Sequence, residues 1–148
     1  MSLLEVRNLR IEYPSRRGVM AAVKDLSFSI EKGEILGVVG ESGAGKSTIG
    51  NAIIDLLSPP GRIASGDVFL NGKQISGLSP EEMRKVRGAH IGFIFQDPMT
   101  ALSPVNTIGS QLREAVRHSG VTAKNLQIER AVELLERVRI PYPDQQLD

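Results

Sequence analysis

Hydrophobic and polar positions alternate along residues 3–13 and 20–30, most plainly where Leu26, Phe28 and Ile30 interleave with Ser27 and Ser29. A period of two marks half-buried antiparallel strands. The alternation slips at Arg7-Asn8 and again at Lys24-Asp25, and a bulge in each strand restores the phase. Pro14-Ser15-Arg16-Arg17-Gly18 reads as the turn between them, so the two segments predict a hairpin.

Ile35-Leu36-Gly37-Val38-Val39 is apolar without alternation, which predicts a strand of a parallel sheet covered on both faces. A glycine-rich loop follows it. Ile49, Ala52, Ile53, Leu56 and Leu57 then fall on one helical face, until Ser58-Pro59-Pro60-Gly61 stops the pattern. Val68-Phe69-Leu70 before Asn71-Gly72 predicts a second hairpin. Ser79-Pro80-Glu81-Glu82 combines an N-cap, a proline at the first helical position and a capping-box glutamate, so a short helix to about Arg87 is expected.

Ile91 to Phe95 reads as another apolar strand, and Asp97 to Asn106 as a loop containing Pro98 and Pro104. Ile108, Leu112, Ala115 and Val116 predict one amphipathic helix, and Ile128, Ala131, Val132, Leu135 and Val138 a second, ended by Pro141 and Pro143. Glu129, Glu133, Glu136, Arg130 and Arg137 mark a solvated helix surface.

Composition narrows the class. The 148 residues are 41% hydrophobic with 15 Gly and 8 Pro, which suits one globular domain and excludes disordered or collagen-like chains. The absence of cysteine removes thiol nucleophiles, disulfides and Cys-based zinc sites. A formal net charge of +1 gives no general drive toward nucleic acid, so no nucleic-acid partner is expected. The first ten residues carry Glu5 inside their apolar stretch and do not read as a signal peptide. The apolar run from Ile35 to Gly40 is far short of the roughly 20 residues a membrane-spanning helix needs.

The chemistry sits in Gly40-Glu41-Ser42-Gly43-Ala44-Gly45-Lys46-Ser47. This string matches the phosphate-binding loop G-x-x-x-x-G-K-[ST], between a predicted strand and a predicted helix as that loop requires. Its glycines let successive backbone N–H groups turn toward a phosphate, and the following helix adds its positive dipole end. Lys46 is suited to the β- and γ-phosphate oxygens and the Ser47 hydroxyl to Mg²⁺. A dinucleotide fingerprint starting at Gly43-Ala44-Gly45 fails, because Thr48 stands where its third glycine belongs.

A γ-phosphate site also needs an acidic Mg²⁺ ligand and a group that positions water. Ile91-Gly92-Phe93-Ile94-Phe95-Gln96-Asp97 leaves three readings open on spacing alone. Asp97 could be the Walker B carboxylate of a compact kinase, Gln96 could be the working residue with Asp97 opening a turn, or the segment could be a purely structural strand end.

Four segments together resemble the ATP-binding subunits of ABC transporters, in the branch importing oligopeptides, dipeptides, nickel and glutathione. They are Ala22 to Phe28, Gly33 to Thr48, Phe95-Gln96-Asp97-Pro98-Met99-Thr100-Ala101-Leu102-Ser103-Pro104, and Thr107 to Glu114. The resemblance implies an α/β P-loop NTPase fold of ABC type: an antiparallel β region plus a parallel core sheet, followed by a helical subdomain, here incomplete. It divides the chain into a β region and P-loop core over 1–103 and the start of the helical subdomain over 104–148. It implies ATP and Mg²⁺ as cofactors, bound by Gly40, Glu41, Ser42, Gly43, Ala44, Gly45, Lys46, Ser47 and Thr48. Lys46 and Gln96 become the catalytic residues, Ser47 and Gln96 the Mg²⁺ contacts, and Gln96 the Q-loop glutamine whose loop faces a membrane permease. Tyr13 resembles the aromatic that stacks on adenine, although a tyrosine packing at a strand end fits the same position.

The resemblance further implies an ATPase driving transport of peptides or related solutes. It implies a second ATP-binding subunit in a head-to-tail dimer, and a peripheral position on the cytoplasmic face of the cell membrane. His90 and His118 read as structural or surface residues, and Met20, Met83 and Met99 as packing residues. The family's Ser-Gly-Gly-Gln signature, Walker B strand, catalytic glutamate and switch histidine are not among these residues. These 148 residues are therefore expected to bind ATP with little hydrolysis and to expose apolar surface and sheet edges. The rival functions are a small P-loop kinase using Asp97, and a non-catalytic nucleotide-binding module with a helical docking surface.

Overall fold

A computed structural model describes residues 2–97 and 101–147. Pro98, Met99 and Thr100, which fall within the segment following Gln96, lie outside the described residues, and so does the packing role expected of Met99. Two compact units make up the chain, Met1–Met83 and Arg84–Asp148.

The first unit is built on a four-stranded antiparallel sheet of order β2-β1-β3-β4, where β1 is Leu4–Ser15, β2 Gly18–Ile30, β3 Arg62–Leu70 and β4 Lys73–Gln74. The β1–β2 pairing steps from Val6↔Phe28 to Leu9↔Leu26 and then to Ile11↔Val23. One extra residue thus lies in β1 at Arg7-Asn8 and one in β2 at Lys24-Asp25, where the alternation slips. A bulge shifts the inside-outside phase by one residue, so Val6, Leu9 and Ile11 are all buried despite their uneven spacing. Asn8 adopts φ 48° there, a conformation asparagine tolerates better than most residues. Its N–H donates to Ser27 Oγ at 2.8 Å and its Nδ2 to Asp25 Oδ1 at 3.3 Å. The side chains of one bulge thereby tie down the other.

The β3–β4 connection is the two-residue Asn71-Gly72 turn, with φ 50° and 75°, as the left-handed positions of a type I′ hairpin require. Val68, Ile75, Ala52, Ile54 and Met83 complete the core of this unit with Val6, Leu9, Ile11 and Val23. Met20 lies across from Tyr13 and is 62% exposed, so it is a surface residue and not a packing one.

Helix α1, Lys46–Ile53, lies against β3 and ends earlier than the sequence pattern predicts. Asp55 takes φ 53°, while the Leu56 and Asp55 N–H groups donate to Asn51 O at 2.7 Å and Ala52 O at 3.1 Å. That pair of bonds is a Schellman stop with aspartate in the place usually held by glycine. It removes Leu56 and Leu57 from the helical face.

Three ion pairs, on the carboxylates of Glu5 and Glu12, brace β1. Arg7 donates to both Glu5 oxygens at 2.8 and 2.9 Å while its guanidinium lies 4.5 Å from the centre of the Phe69 ring. Arg10 donates to Glu12 at 2.8 Å, and Arg62 of β3 reaches the same carboxylate at 3.5 Å. The hydrogen bonds from Arg7 and Arg10 hold the Glu5 and Glu12 carboxyls below their ordinary value. A depressed folded-state pKa gives stability that is present above the usual carboxylate range and lost as pH falls through the folded value. Urea midpoints followed from neutral pH to about pH 3 should therefore drop, and Glu12→Gln should flatten that drop.

The sequence pattern and the structure part company at the two apolar segments. Neither 35–39 nor 91–95 pairs as a strand among the described residues. Ile35 is 97%, Val39 96% and Ile94 96% exposed. An unbroken apolar strand needs neighbours and cover on both faces, and the described residues supply neither. The parallel core sheet is accordingly not formed here, and the expected apolar exposure is found at these segments.

Helix α2 is Pro80–Ala89. Its capping box is formed as expected: Ser79 N–H and Oγ donate to Glu82 Oε2 at 3.0 and 2.6 Å. In the second unit, helix α3 is Ile108–His118 and helix α4 Lys124–Arg137, packed on each other. The buried positions of α4 are Gln127 and Ala131, while Ile128 and Val138 are 41% and 67% exposed. Ala131 is thus buried as predicted and Val132 and Leu135 half-buried, while Gln127 takes the inward place expected of Ile128. The exchange is possible because Gln127 Nε2 donates to Val121 O at 2.9 Å and Thr122 O at 3.1 Å, making a polar residue acceptable in the interior. A short 3₁₀ turn, Pro143–Gln146, closes the unit, and Gly109 N–H donates to Leu147 O at 2.8 Å.

Candidate nucleotide-binding site

The loop Gly40–Gly45 enters α1 without a break. Gly43 and Gly45 take φ 82° and 86°, the left-handed region that glycine enters without steric cost. Gly45 meets a second restriction, since a Cβ there would sit 3.0 Å from Ala22 O and 3.4 Å from Val23 Cγ2. Ala22 is itself an extra residue of β2, because Ile11↔Val23 is followed by Glu12↔Ala21. No sequence signal marks this third irregularity, which brings the sheet against the loop.

Helix α1 begins at Lys46 with Gly45 as its N-cap, no side-chain capping bond and no acidic residue in its first turn. The positive end of its dipole is therefore not neutralised by a carboxylate of its own. Lys46 Nζ donates to Gly40 O and Glu41 O, both at 2.7 Å. The lysine charge is thus held at the loop mouth on two neutral carbonyls, bonds that the stronger charge-assisted ones to a phosphate oxygen can replace. Residues 40–44 and Ser47 are exposed, and Gly45, Lys46 and Thr48 partly covered. Left-handed glycine backbone, an uncapped helix start and a cation held at the loop mouth form a chemistry suited to a polyphosphate.

Tyr13 lies in the same unit, half-buried, with its ring over Gly61: a Cβ on that glycine would fall 2.6 Å from Cε1 and 2.9 Å from Cζ. Packing at the strand end is therefore real, and a half-exposed ring can still stack. Gln96 belongs to the second unit, in an exposed stretch after Phe93 and Phe95, whose rings meet edge to face at 4.9 Å. His90 and His118 are exposed, and Met83 is buried. Among the described residues no group of three His, Cys, Asp or Glu could hold a metal ion. No helix among them is long and apolar enough to cross a membrane.

Residues 23–147 match the family model of the ABC transporter domain. The chain is 43% identical over 147 residues to the oligopeptide transport ATP-binding protein OppD of Bacillus subtilis, covering 99% of itself and 41% of that protein. It is 40% identical over 149 residues to the dipeptide transport ATP-binding protein DppD of Escherichia coli, covering 45% of that protein. Among solved structures it is similar to the dimeric ATP-binding cassette MJ0796 in a post-hydrolysis state bound to ADP and Pi. The TM-score is 0.81 at 25% identity, over 98% of this chain and 63% of that one. The chain belongs to the ABC transporter family, with an ABC-type P-loop fold. Its relatives by sequence are the ATP-binding proteins of oligopeptide and dipeptide transport, and it spans less than half the length of those two. Membership in this family disfavours the kinase reading of Asp97.

Proposed function

We propose that this chain carries the adenine- and triphosphate-binding side of an ATPase that drives import of peptides or related solutes. The observation that carries the reading is the P-loop itself: two left-handed glycines leading into an uncapped helix that starts at Lys46. Residues 40–48 wrap the phosphates of ATP, Lys46 balances their charge, Ser47 contacts Mg²⁺, and Tyr13 stacks on the base. Gln96 contacts Mg²⁺ and the attacking water, and its loop meets a membrane permease. The catalytic core then gives way to the helical subdomain at 103/104. In the whole transporter a second ATP-binding subunit joins head to tail at the cytoplasmic face of the membrane. Water attacks the γ-phosphate in line, with Lys46, the loop amides and Mg²⁺ stabilising the charge. The names of OppD and DppD support the peptide class, and the ADP and Pi in MJ0796 support the chemistry. The 148 residues alone are expected to bind ATP and hydrolyse little.

Calorimetric titration with ATP, in Mg²⁺ and in EDTA, tests the site. Ser47→Ala should weaken binding by about tenfold in Mg²⁺ and little in EDTA. Equal weakening in both would remove Ser47 from the metal, and no binding by the parent chain would contradict the nucleotide site itself.

A further inference from the structure

The β1–β3 register runs out at Glu12↔Arg62, whose side chains meet at 3.5 Å. One step further along the two chains, Tyr13 comes beside Gly61. Residues directly opposite each other in a sheet send their side chains to the same face, and Gly61 has none, so the Tyr13 ring lies across it. The backbone of Gly61 does not take the left-handed conformation. What glycine supplies here is room, because a Cβ would fall 2.6 Å from Tyr13 Cε1 and 2.9 Å from Cζ. On its other side stands the turn from Ser58, whose carbonyl accepts the Gly61 N–H at 2.9 Å and would lie 2.9 Å from the same Cβ. Pro59 and Pro60 restrict the backbone between them, so the turn is a stiff support for the ring.

We infer that Gly61 is a positioning residue for the base of the nucleotide. By letting the Tyr13 ring settle on the Ser58–Gly61 turn, it sets the tilt of that ring and the surface the ring offers to adenine. The inference rests on the reading of Tyr13 as the base-stacking aromatic. Stacking depends on the mutual tilt of two rings, and a ring already held in place binds a base at less ordering cost than one free to swing. Tyr13 is half-buried, which leaves part of the ring for the base. Gly61 acts on the ring and touches no nucleotide.

Affinities for ATP and for inorganic tripolyphosphate, both with Mg²⁺, separate the base from the phosphates, since tripolyphosphate offers Tyr13 nothing to stack on. In Gly61→Ala the added methyl pushes the ring aside. The ratio of ATP to tripolyphosphate affinity should then fall about three- to fivefold with tripolyphosphate affinity unchanged, part of the roughly tenfold fall expected of Tyr13→Ala. A glycine that merely lets the turn close would lower both affinities together or neither, and either result overturns the proposal. In a Tyr13→Ala background, Gly61→Ala should leave the ratio where the first change put it. A further fall there would mean that Gly61 meets the base itself, and would overturn its action through the ring. Tyr13→Ala alone separates the two ideas. An unchanged ratio defeats the stacking role and the positioning with it, whereas a lowered ratio upholds stacking and leaves Gly61→Ala to decide the positioning. If Gly61→Ala folds poorly, the parent chain supplies the test by nuclear Overhauser contacts. With ATP bound, the Tyr13 ring protons should stay close to Gly61 Hα and also approach adenine, and loss of the Gly61 contact on adding ATP would overturn the proposal.

Discussion

Gly66→Ala is expected to destabilise the first unit by about 3 kcal/mol or more, enough to leave a marginal domain largely unfolded. Gly66 sits at φ 92°, and a Cβ there would lie 2.6 Å from Arg7 O and would also collide with Asn8 O. Those carbonyls belong to the β1 bulge, where the β1–β3 register steps from Arg7↔Asp67 to Arg10↔Ser65. Neither strand can yield without giving up the bulge that buries Val6, Leu9 and Ile11 together. Gly77 is the control, because it has φ 79° but nothing within 4 Å of an added Cβ. Gly77→Ala should cost only about 1 kcal/mol, the strain of the backbone alone. Urea denaturation of the two variants checks the difference, and equal midpoints would mean that β1 and β3 do not meet as described.

Lys46→Ala is expected to leave the fold intact and to weaken ATP binding about a hundredfold. Among the described residues its ammonium bonds to Gly40 O and Glu41 O within its own loop, so stability should change little. Against a polyphosphate the same group makes charge-assisted bonds, and losing them is worth roughly 3 kcal/mol. Lys46→Arg should rescue little, because a planar fork does not replace a compact point charge in a tight backbone turn. Thermal unfolding alongside ATP titration separates the two effects. A large fall in melting temperature without nucleotide would make Lys46 a structural residue.

Local signals of this fold are legible in the sequence. The slips at Arg7-Asn8 and Lys24-Asp25 mark both bulges, Asn71-Gly72 marks its turn, and Ser79 with Glu82 marks the start of α2. Each is written in residues that stand next to or within three places of each other in the chain. Features set by distant contacts are not legible. Nothing near Gly66 announces that Arg7 and Asn8 will press on it, and nothing near Gly45 announces the carbonyl of Ala22. Helix ends at Asp55 and Arg139, both with positive φ, escape a search for terminal glycines. Gln127 disguises the inward face of α4, because a polar side chain satisfied by two carbonyls reads as a surface residue.

The site divides along the same line. The P-loop is a contiguous string whose chemistry follows from its own spacing, and its glycines take the conformations that spacing demands. Tyr13 and Gln96 are separated in sequence from that string, and only resemblance links them to it. The apolar runs at 35–39 and 91–95 are legible as strands meant for cover on both faces, yet their partners are not among the described residues. The same sequence signal therefore appears in the structure as exposed surface.

Titration of the chain with ATP, ADP and AMP, each with Mg²⁺, tests the nucleotide-binding claim most directly. A loop that grips the β- and γ-phosphates should bind ATP and ADP within about tenfold of each other, and AMP roughly a hundredfold more weakly. AMP binding as tightly as ATP, or no preference among the three, would contradict a phosphate-binding role for residues 40–48.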